Sequence, residues 1–506
     1  MSFPYRNIGF WTARRASLTP ARIALRAGGR DYTYAELEDR AARAAGALEA
    51  AGVSAGERVA AYLPNGIAYV DVFLACARLG AILVPLSTRL AAPELEFIAN
   101  DSGSATLVCD ATLADVVAEF LPGTSIKSVL VAGGPGDDAF EAACAAARPA
   151  GVRDVAPDDV LAIVYTSGTT GRPKGAMLTH ANFFWTNLNI GIALDFTNDE
   201  RTVVALPMFH IGGWNVNTLA VWLKGGTVFL EESFDAGRLL ALIAEHRITS
   251  FMGVPTMYAL MAEHASFQTS DISSVREFVC GGAPLPVPLI RRYQQRGARF
   301  IQGYGLTEAA PNCLALPPED AVRKAGTAGR PYFFTDVRVV DDRDHDVPAG
   351  GSGEIVVRGP SVMKGYWNLP EETAAALRDG WLRTGDVGRV DDEGYITIVD
   401  RVKDMYISGG ENVYPAEVEH ALAAHPSIAE AAVVGVPDAR WGEAGLAIVV
   451  LRPGATATPE DVRAFCLEHL AKFKVPRDVV FTASLPRNAT GKLLKTELRD
   501  RFGGAS

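Results

Sequence analysis

The segment Tyr165-Thr-Ser-Gly-Thr-Thr-Gly-Arg-Pro-Lys-Gly175 crowds hydroxyls, glycines and a lysine into one loop. It follows the apolar run Leu161 to Val164 and precedes a helical pattern, which predicts a strand-to-helix turn. In such a turn backbone N–H groups point at phosphate oxygens. Gly168 and Gly171 permit positive φ and close backbone approach. Thr166, Ser167, Thr169 and Thr170 add hydroxyls, and Lys174 adds charge. No Gly-Lys-Ser/Thr closes the loop, so it is not a Walker loop. A solvated Ser/Thr/Gly loop is the plain alternative, and the density of the pattern speaks against it.

Other residues suited to chemistry are scattered through the chain. His210 lies in Pro207-Met-Phe-His-Ile-Gly-Gly213, after an apolar strand. Gly281-Gly282-Ala283-Pro284 follows the strand Glu277 to Cys280. Glu308 ends Gln302-Gly303-Tyr304-Gly-Leu-Thr307-Glu308, and Asp386 ends Trp381-Leu-Arg-Thr-Gly-Asp386. Arg401 and Lys403 lie in Asp400-Arg-Val-Lys-Asp404. Ser408-Gly409-Gly410-Glu411-Asn412, Trp441 and Pro486-Arg-Asn-Ala-Thr-Gly-Lys492 complete the series. Taken singly, each has an ordinary reading: a packed histidine, a tight turn, a charge at a helix start, a surface cluster, a core tryptophan, a solvated lysine. In this order, over nearly the whole chain, they resemble the adenylate-forming superfamily, with its acyl-CoA synthetases, peptide-synthetase adenylation domains and luciferases.

The resemblance implies ATP, Mg²⁺ and coenzyme A as cofactor and co-substrates. The residues from Thr166 to Gly171, with Lys174, would cradle the phosphates. Gly282, Ala283 and Pro284 would pack on adenine, and Tyr304, in the segment opened by Gln302 and Gly303, would stack on it. Thr307 would bond the α-phosphate and Glu308 would hold Mg²⁺, a hard cation that takes oxygen ligands. Asp386 would accept the ribose hydroxyls, and Arg401 would reach ribose or phosphate. Lys403 matches a hinge, Lys492 the adenylation lysine, and His210 a residue of the acyl site. Ser408, Gly409, Gly410 and Trp441 would approach coenzyme A.

The chemistry implied is attack by a carboxylate on the α-phosphorus of ATP, giving an acyl-adenylate and pyrophosphate, then transfer to a thiol. No carrier domain is fused, and the Gly409 loop resembles that of CoA ligases, so coenzyme A is the expected acceptor. The acid pocket is expected from Phe209, Gly212, Gly213, Trp214, Gly281, Gly282, Ala310, Pro311 and Asn312. Gly212 stands where some aryl ligases carry a bulky aromatic, which suggests a deep pocket. A medium- or long-chain fatty acid is favoured. An aryl or hydroxycinnamate acid is the alternative, with Asn312 and Trp214 receiving a polar ring substituent. No basic residue among these positions argues against a dicarboxylate. Rival classes are a phosphotransferase of the Walker type, a luciferase-like oxygenase and a non-catalytic nucleotide-binding homologue. Intact Lys492, Glu308 and Asp386 weigh against the last.

These residues need a scaffold, and 506 residues require at least two domains. Alternating βα patterns to about residue 325 predict doubly wound, largely parallel sheets. Thr33-Tyr34-Ala35-Glu36 reads as a capping box. Val70 to Pro85, interrupted by Asp71 and Arg78, reads as a buried helix and strand rather than a membrane span. Val129 to Pro157 reads as a linker with a short helix. Gly326 to Asp400 has the alternation of a β subdomain, and an α+β pattern follows. The expected fold is therefore α/β: a large N-terminal domain of doubly wound sheets plus a β subdomain (1–401), then a small, mobile α+β C-terminal domain (402–506).

A net charge of −11 argues against nucleic acid as a partner. The six cysteines are scattered with no C-x-x-C pair, which reads as reduced thiols in a cytoplasmic protein. The start carries arginines without an apolar signal region. A homodimer is compatible with all of this.

Overall fold

The computed structural model describes residues 7–134, 138–166, 173–401, 404–408, 411–438, 441–487 and 493–503. The capping box forms as expected. Glu36 N–H donates to Thr33 Oγ1 at 3.2 Å, and Thr33 N–H donates to Glu36 Oε2 at 2.8 Å. These bonds satisfy two backbone donors that the helix Tyr34–Ala50 would otherwise leave free. The helix Ile67–Leu79 is buried throughout its last three turns, and Gly80, at φ +67°, ends it before the strand Ile82–Pro85. Its two charges are resolved by pairing. Asp71 meets Arg40 at 2.6 Å and Arg78 meets Glu38 at 2.7 Å, so both charges tie this helix to Tyr34–Ala50. A buried charge without such a partner would be strongly destabilising.

Two large sheets hold the site. In the first, the parallel strands Ser128–Ala132, Thr106–Asp110, Arg58–Tyr62, Ile82–Pro85 and Val160–Thr166 are followed by two antiparallel ones, Lys174–Thr179 and Gly365–Tyr366. The second sheet is parallel through its middle, from Ile23–Ala27 across Thr227–Leu230, Arg201–Val204, Ser250–Gly253 and Glu277–Cys280 to Phe300–Gly305. Antiparallel strands close its two edges. An antiparallel sheet follows, with Asp336–Val340, Ser352–Arg358, Trp381–Val390 and Ile396–Arg401 in that order. Beyond residue 404 a separate sheet pairs Ile428–Asp438 with Gly442–Leu451 and carries the helices Pro415–Leu422, Pro459–His469 and Lys495–Phe502. The α/β class and the late β region match expectation.

Two expectations fail. The phosphate loop does not join a strand to a helix. Val160–Thr166 and Lys174–Thr179 form an antiparallel hairpin, with Thr166 opposite Lys174. The helix begins only at His180. The Ala/Gly-rich stretch after Val129 is not all linker, because Ser128–Ala132 adds an edge strand parallel to Thr106–Asp110. Pairing partners far along the chain, which local composition does not record, decide both cases. Among the described residues no helix is long and apolar enough to cross a membrane. All six cysteines are free and buried.

Candidate functional site

The hairpin stem is fixed before its loop begins. Tyr165 Oη and Trp367 Nε1 both donate to Asp101, to its carboxylate and its carbonyl respectively. At the loop end of the stem, Thr166 Oγ1 donates to Glu308 Oε1 at 3.2 Å, and Tyr366 Oη donates to the same oxygen at 3.0 Å. Met363 N–H holds the Glu308 carbonyl at 2.8 Å. Thr166, Glu308 and Tyr366 thus meet from three separate stretches of chain. Burial, reinforced by the Glu308 charge, pushes the Tyr366 phenol well above its ordinary pKa, so it stays a donor. Lys174 Nζ pairs with Glu372 and lies 5.4 Å from the Tyr366 ring centroid. Among the described residues no cluster of three or more His, Cys, Asp or Glu offers a metal cage. The oxygen set at Glu308 fits Mg²⁺, which ordinarily takes one or two carboxylates and completes its shell with water and substrate phosphates. Ser167, Gly168, Thr169, Thr170 and Gly171 lie outside the described residues.

The nucleoside side is built on the strand Phe300–Gly305. Tyr304 Oη donates to Asp386 Oδ2 at 2.7 Å, bringing together two residues 82 apart in sequence. Asp386 is 8% exposed. Its own N–H is held by Thr384 Oγ1 at 3.1 Å, and Gly385 N–H donates to Glu354 Oε1 at 3.0 Å. The backbone of Arg401 is the register partner of Asp386. Gln302 is buried and spends its amide on backbone: Leu285 N–H donates to its Oε1 at 2.9 Å, and its Nε2 donates to Thr327 O at 3.3 Å. It therefore positions the Gly282-Ala283-Pro284 turn, which is exposed. Gly303 is half-buried on the same strand. Gly305 is required sterically, since a Cβ there would sit 1.4 Å from the Pro311 carbonyl oxygen. Thr307–Ala309 forms a single 3₁₀ turn between Gly305 and Pro311.

The expected acid side centres on Pro207 to Asn217. Gly213 is needed for packing, because a Cβ would meet the Pro207 carbonyl oxygen at 2.8 Å. At Gly212 the space is open, and the nearest atom to a Cβ is Leu206 Cδ1 at 4.0 Å. A small cavity, about 10 Å³ and so roughly one water in size, opens here. Val203, Val204, Leu206, Gly212, Gly213 and Met252 line it, together with Asn217. The His210 ring packs at a tilt against Phe209, and its Nε2 is buried with no partner among the described residues. Burial, with the nearby Arg89 charge, lowers the His210 pKa to about 4, so the ring is neutral at pH 7.

Two expected acid contacts are otherwise engaged. Trp214 is 2% exposed, stacks on Phe73 with centroids 3.9 Å apart, and donates its indole N–H to Met208 O at 2.8 Å. Asn312 Nδ2 donates to Asn215 O at 3.0 Å. The Trp214 donor is thus spent, while the second N–H and the Oδ1 of Asn312 are not committed by this bond. Ala310 is fully buried at φ +61°, and its carbonyl accepts from Asn215 Nδ2 at 3.0 Å, while Asn187 Nδ2 donates to Asn215 Oδ1 at 2.7 Å. This buried asparagine chain holds the Ala310-Pro311-Asn312 turn. Gly281 faces Met252 across the sheet, where a Cβ would meet Met252 Cε at 3.1 Å.

In the C-terminal part, the register pairs Ser408 with Gly442, so the end of the strand Tyr406–Ser408 lies next to Trp441. Trp441 is 47% exposed, which removes the reading of a core tryptophan. Lys403, Gly409, Gly410 and Lys492 lie outside the described residues. Sequence reasoning missed Tyr366, Gln302's bracing role, Asn215 and Asn217. Asn215-Val-Asn217 does leave a trace, as amides within an otherwise apolar run from Ile211 to Leu223. Tyr366 leaves none, because its link to Glu308 is purely tertiary.

Comparison with known proteins agrees with this geometry. Residues 12–367 match the family described as AMP-binding enzyme, and residues 417–492 match the AMP-binding enzyme C-terminal domain. A feruloyl-CoA synthase of Amycolatopsis sp is 47% identical, covering 98% of this chain and 99% of the relative. A long-chain-fatty-acid–CoA ligase, FadD13, of Mycobacterium tuberculosis is 40% identical over 98% of this chain and 99% of its own. The solved O-succinylbenzoate coenzyme A synthetase of Bacillus subtilis, in complex with ATP and magnesium ion, superposes with a TM-score of 0.87. It is 34% identical and covers 97% of this chain and 99% of that one. With both family segments matched in order around the Glu308 and Asp386 constellations, this chain belongs to the AMP-binding enzymes and is an AMP-forming acid–CoA ligase that uses ATP, Mg²⁺ and coenzyme A.

Proposed function

We propose that the acid is aromatic, of the hydroxycinnamate type, and that the enzyme converts it to its CoA thioester through an acyl-adenylate. The observation that carries this reading is the similarity to a feruloyl-CoA synthase, 47% identical over 98% of this chain, against 40% for the fatty-acid ligase. A medium- or long-chain fatty acid, favoured by the sequence, is the second reading, and the open space at Gly212 speaks for it.

In the first half-reaction a carboxylate oxygen attacks the α-phosphorus and pyrophosphate leaves. Two anions must approach, and charge builds on phosphorus. Lys492, Thr307 and Arg401 are assigned to that charge, and the loop from Thr166 to Thr170 with Lys174 to the departing phosphates. Bound Mg²⁺ supplies charge neutralisation across the phosphates. Glu308 holds the carboxylate for it, with Tyr366 and Thr166 fixing the oxygen they share. Asp386 and Tyr304 take the ribose and adenine, with the Gly282-Ala283-Pro284 turn against the base. In the second half-reaction the thiol attacks the acyl carbon and AMP leaves.

We assign residues 1–401 to adenylation and 402–506 to a lid that pivots at Lys403. After the pivot, Ser408, Gly409, Gly410 and Trp441 would face coenzyme A. Neutral His210 lines the acyl side. Six reduced thiols support a cytoplasmic setting, and a homodimer is proposed with no interface assigned.

The test is pyrophosphate release across short, medium, long and aromatic acids, with and without coenzyme A. Aromatic acids should lead in kcat/KM. Preference for acids of twelve or more carbons, about that length or longer, would overturn the aromatic reading while leaving the ligase intact. Lys492→Ala should lose adenylation on the order of a hundred- to a thousandfold and spare thioester formation from preformed adenylate. Equal loss of both steps would remove that role.

A further inference from the structure

A short loop, Leu63-Pro-Asn65-Gly66, joins the strand Arg58–Tyr62 of the first sheet to the helix Ile67–Leu79. From it Asn65 reaches the second sheet. Its Nδ2 donates to Leu206 O at 2.9 Å and to Glu231 O at 3.1 Å, and its Oδ1 accepts Met208 N–H at 2.7 Å. Leu206 and Glu231 lie just past the ends of two paired parallel strands, Arg201–Val204 and Thr227–Leu230. A carbonyl only accepts and an N–H only donates, so these partners fix which way the amide points. The Met208 bond is buried, and its N–H would be costly to leave unpaired there. The carbonyl of the same residue is also held. Trp214 Nε1 donates to Met208 O at 2.8 Å, and Trp214 stacks on Phe73 of the helix that follows Asn65. Residues 65 to 73 thus hold, or brace the holder of, both backbone polar groups of Met208. His210 N–H then closes onto Pro207 O at 3.1 Å.

We propose that Asn65 is a positioning residue for the acid substrate: it fixes the backbone from Leu206 to Met208 and so sets where Phe209 and His210 stand. The inference rests on the reading that Phe209 and His210 line the acid side. Residues 205 to 210 belong to no strand or helix, so no ladder of backbone bonds holds them in place. The three bonds of the Asn65 amide and the one from Trp214 do that work from side chains. A wall displaced by about 1 Å can cost on the order of a hundredfold in rate, because the reacting carboxylate no longer meets phosphorus in line. None of the three Asn65 bonds goes to Tyr304, Glu308 or Asp386. Loss of Asn65 therefore acts on the acid and leaves the nucleotide alone, whereas a plain staple between the two sheets would affect both or neither.

The experiment uses the full-length enzyme and reads pyrophosphate release with 4-hydroxycinnamate and with decanoate, so that it does not depend on which class of acid is preferred. In Asn65→Ala, KM for the better acid should rise about tenfold, while half-saturation by ATP stays at the wild-type value. A KM does not depend on how much of a preparation is folded, so partial loss of folded enzyme cannot produce that split. Equal rises in both constants, or no rise in either beside a lower Tm, would make Asn65 a staple between the sheets and overturn the proposal. Asn65→Asp keeps the shape and the acceptor for Met208 N–H and gives up the amide donors. It takes the place of Asn65→Ala if that variant does not fold, and if neither folds, Asn65 serves folding and the proposal falls. Phe209→Ala is measured alongside. If it changes KM for the acid and the Asn65 variant does not, the acid side stands and the role of Asn65 is lost. If neither changes it, the acid-side reading falls as well.

Discussion

The phosphate side and the acid side of this site handle polar atoms in opposite ways. Around Glu308 the polar side chains are mutually engaged: Thr166 and Tyr366 share one carboxylate oxygen, and Lys174 rests on Glu372. On the expected acid side, Asn217 Oδ1 and His210 Nε2 are buried with no partner among the described residues. A ligand on the first side exchanges bonds that already exist, so its gain comes from charge. A ligand on the second side can add bonds, each relieving a group whose burial costs about 1–3 kcal/mol. The site is thus pre-paired where every substrate of the class is alike, at the phosphates. It is left wanting where substrates differ.

The largest test of this contrast is Glu308→Gln. The amide keeps the shape and can still accept from Tyr366, so only the charge is lost. Pyrophosphate release should fall about a hundred- to a thousandfold, or roughly 2.7–4 kcal/mol. Near-normal release at saturating Mg²⁺ would show that charge is not what this side supplies.

A second test weighs the unpaired class through pH. His180 is fully buried, accepts Ile8 N–H on Nδ1 at 3.3 Å, and has no partner for Nε2 among the described residues. Burial lowers its pKa to about 4 from the ordinary 6.5. Between those values the unfolded chain takes a proton that the folded chain refuses. Stability is therefore complete above pH 6.5 and falls as pH drops towards 4, by up to about 3 kcal/mol for this ring. His210 is shifted in the same direction. Thermal unfolding from pH 7 to 4.5 should show Tm falling, and His180→Gln should flatten that slope even if it lowers Tm at pH 7. A slope indifferent to the substitution would place the acid sensitivity elsewhere.

The same contrast explains what the sequence could and could not convey. The charge-bearing half was legible: Tyr304, Glu308 and Asp386 stand in local motifs, and the structure joins Tyr304 to Asp386. The βα pattern and the Thr33 capping box were legible because propensity, capping and apolar spacing are local. The hairpin at Thr166 was not, since an apolar run followed by a polar loop looks alike before a strand or a helix. Tyr366 was invisible because it lies 58 residues from the carboxylate it serves. The contacts of Trp214 and Asn312 were invisible for a related reason: the Trp214 donor goes to the Met208 carbonyl and one of the two Asn312 N–H groups to the Asn215 carbonyl, and no motif announces either.

Tyr366→Phe probes the engaged side more gently. It removes one donor to Glu308 while Thr166 remains. Hydrogen bonds to charged groups contribute about 1.5–3 kcal/mol, and the surviving partner offsets part of that, so the loss in pyrophosphate release should be about tenfold. A positioning role also requires a higher Mg²⁺ concentration for half-maximal rate. An unchanged Mg²⁺ dependence would make Tyr366 a packing residue instead.

The smallest effect belongs to Gly212→Ala. A Cβ here meets nothing closer than Leu206 Cδ1 at 4.0 Å, so the substitution adds a methyl to open space without moving backbone. Gly213→Ala, by contrast, would drive a Cβ to 2.8 Å from a carbonyl oxygen and should cost folded protein. With Gly212→Ala the fold should persist and the cavity should shrink by about one methyl, a large share of a space near one water in size. If the acid enters this cavity, kcat/KM for the bulkiest accepted acid should fall a few-fold, within the roughly 1–3 kcal/mol that one methylene commands in a fitted pocket. The smallest acids should be indifferent, and half-saturation by ATP should not move. A uniform loss across acid sizes would detach the cavity from the acid site.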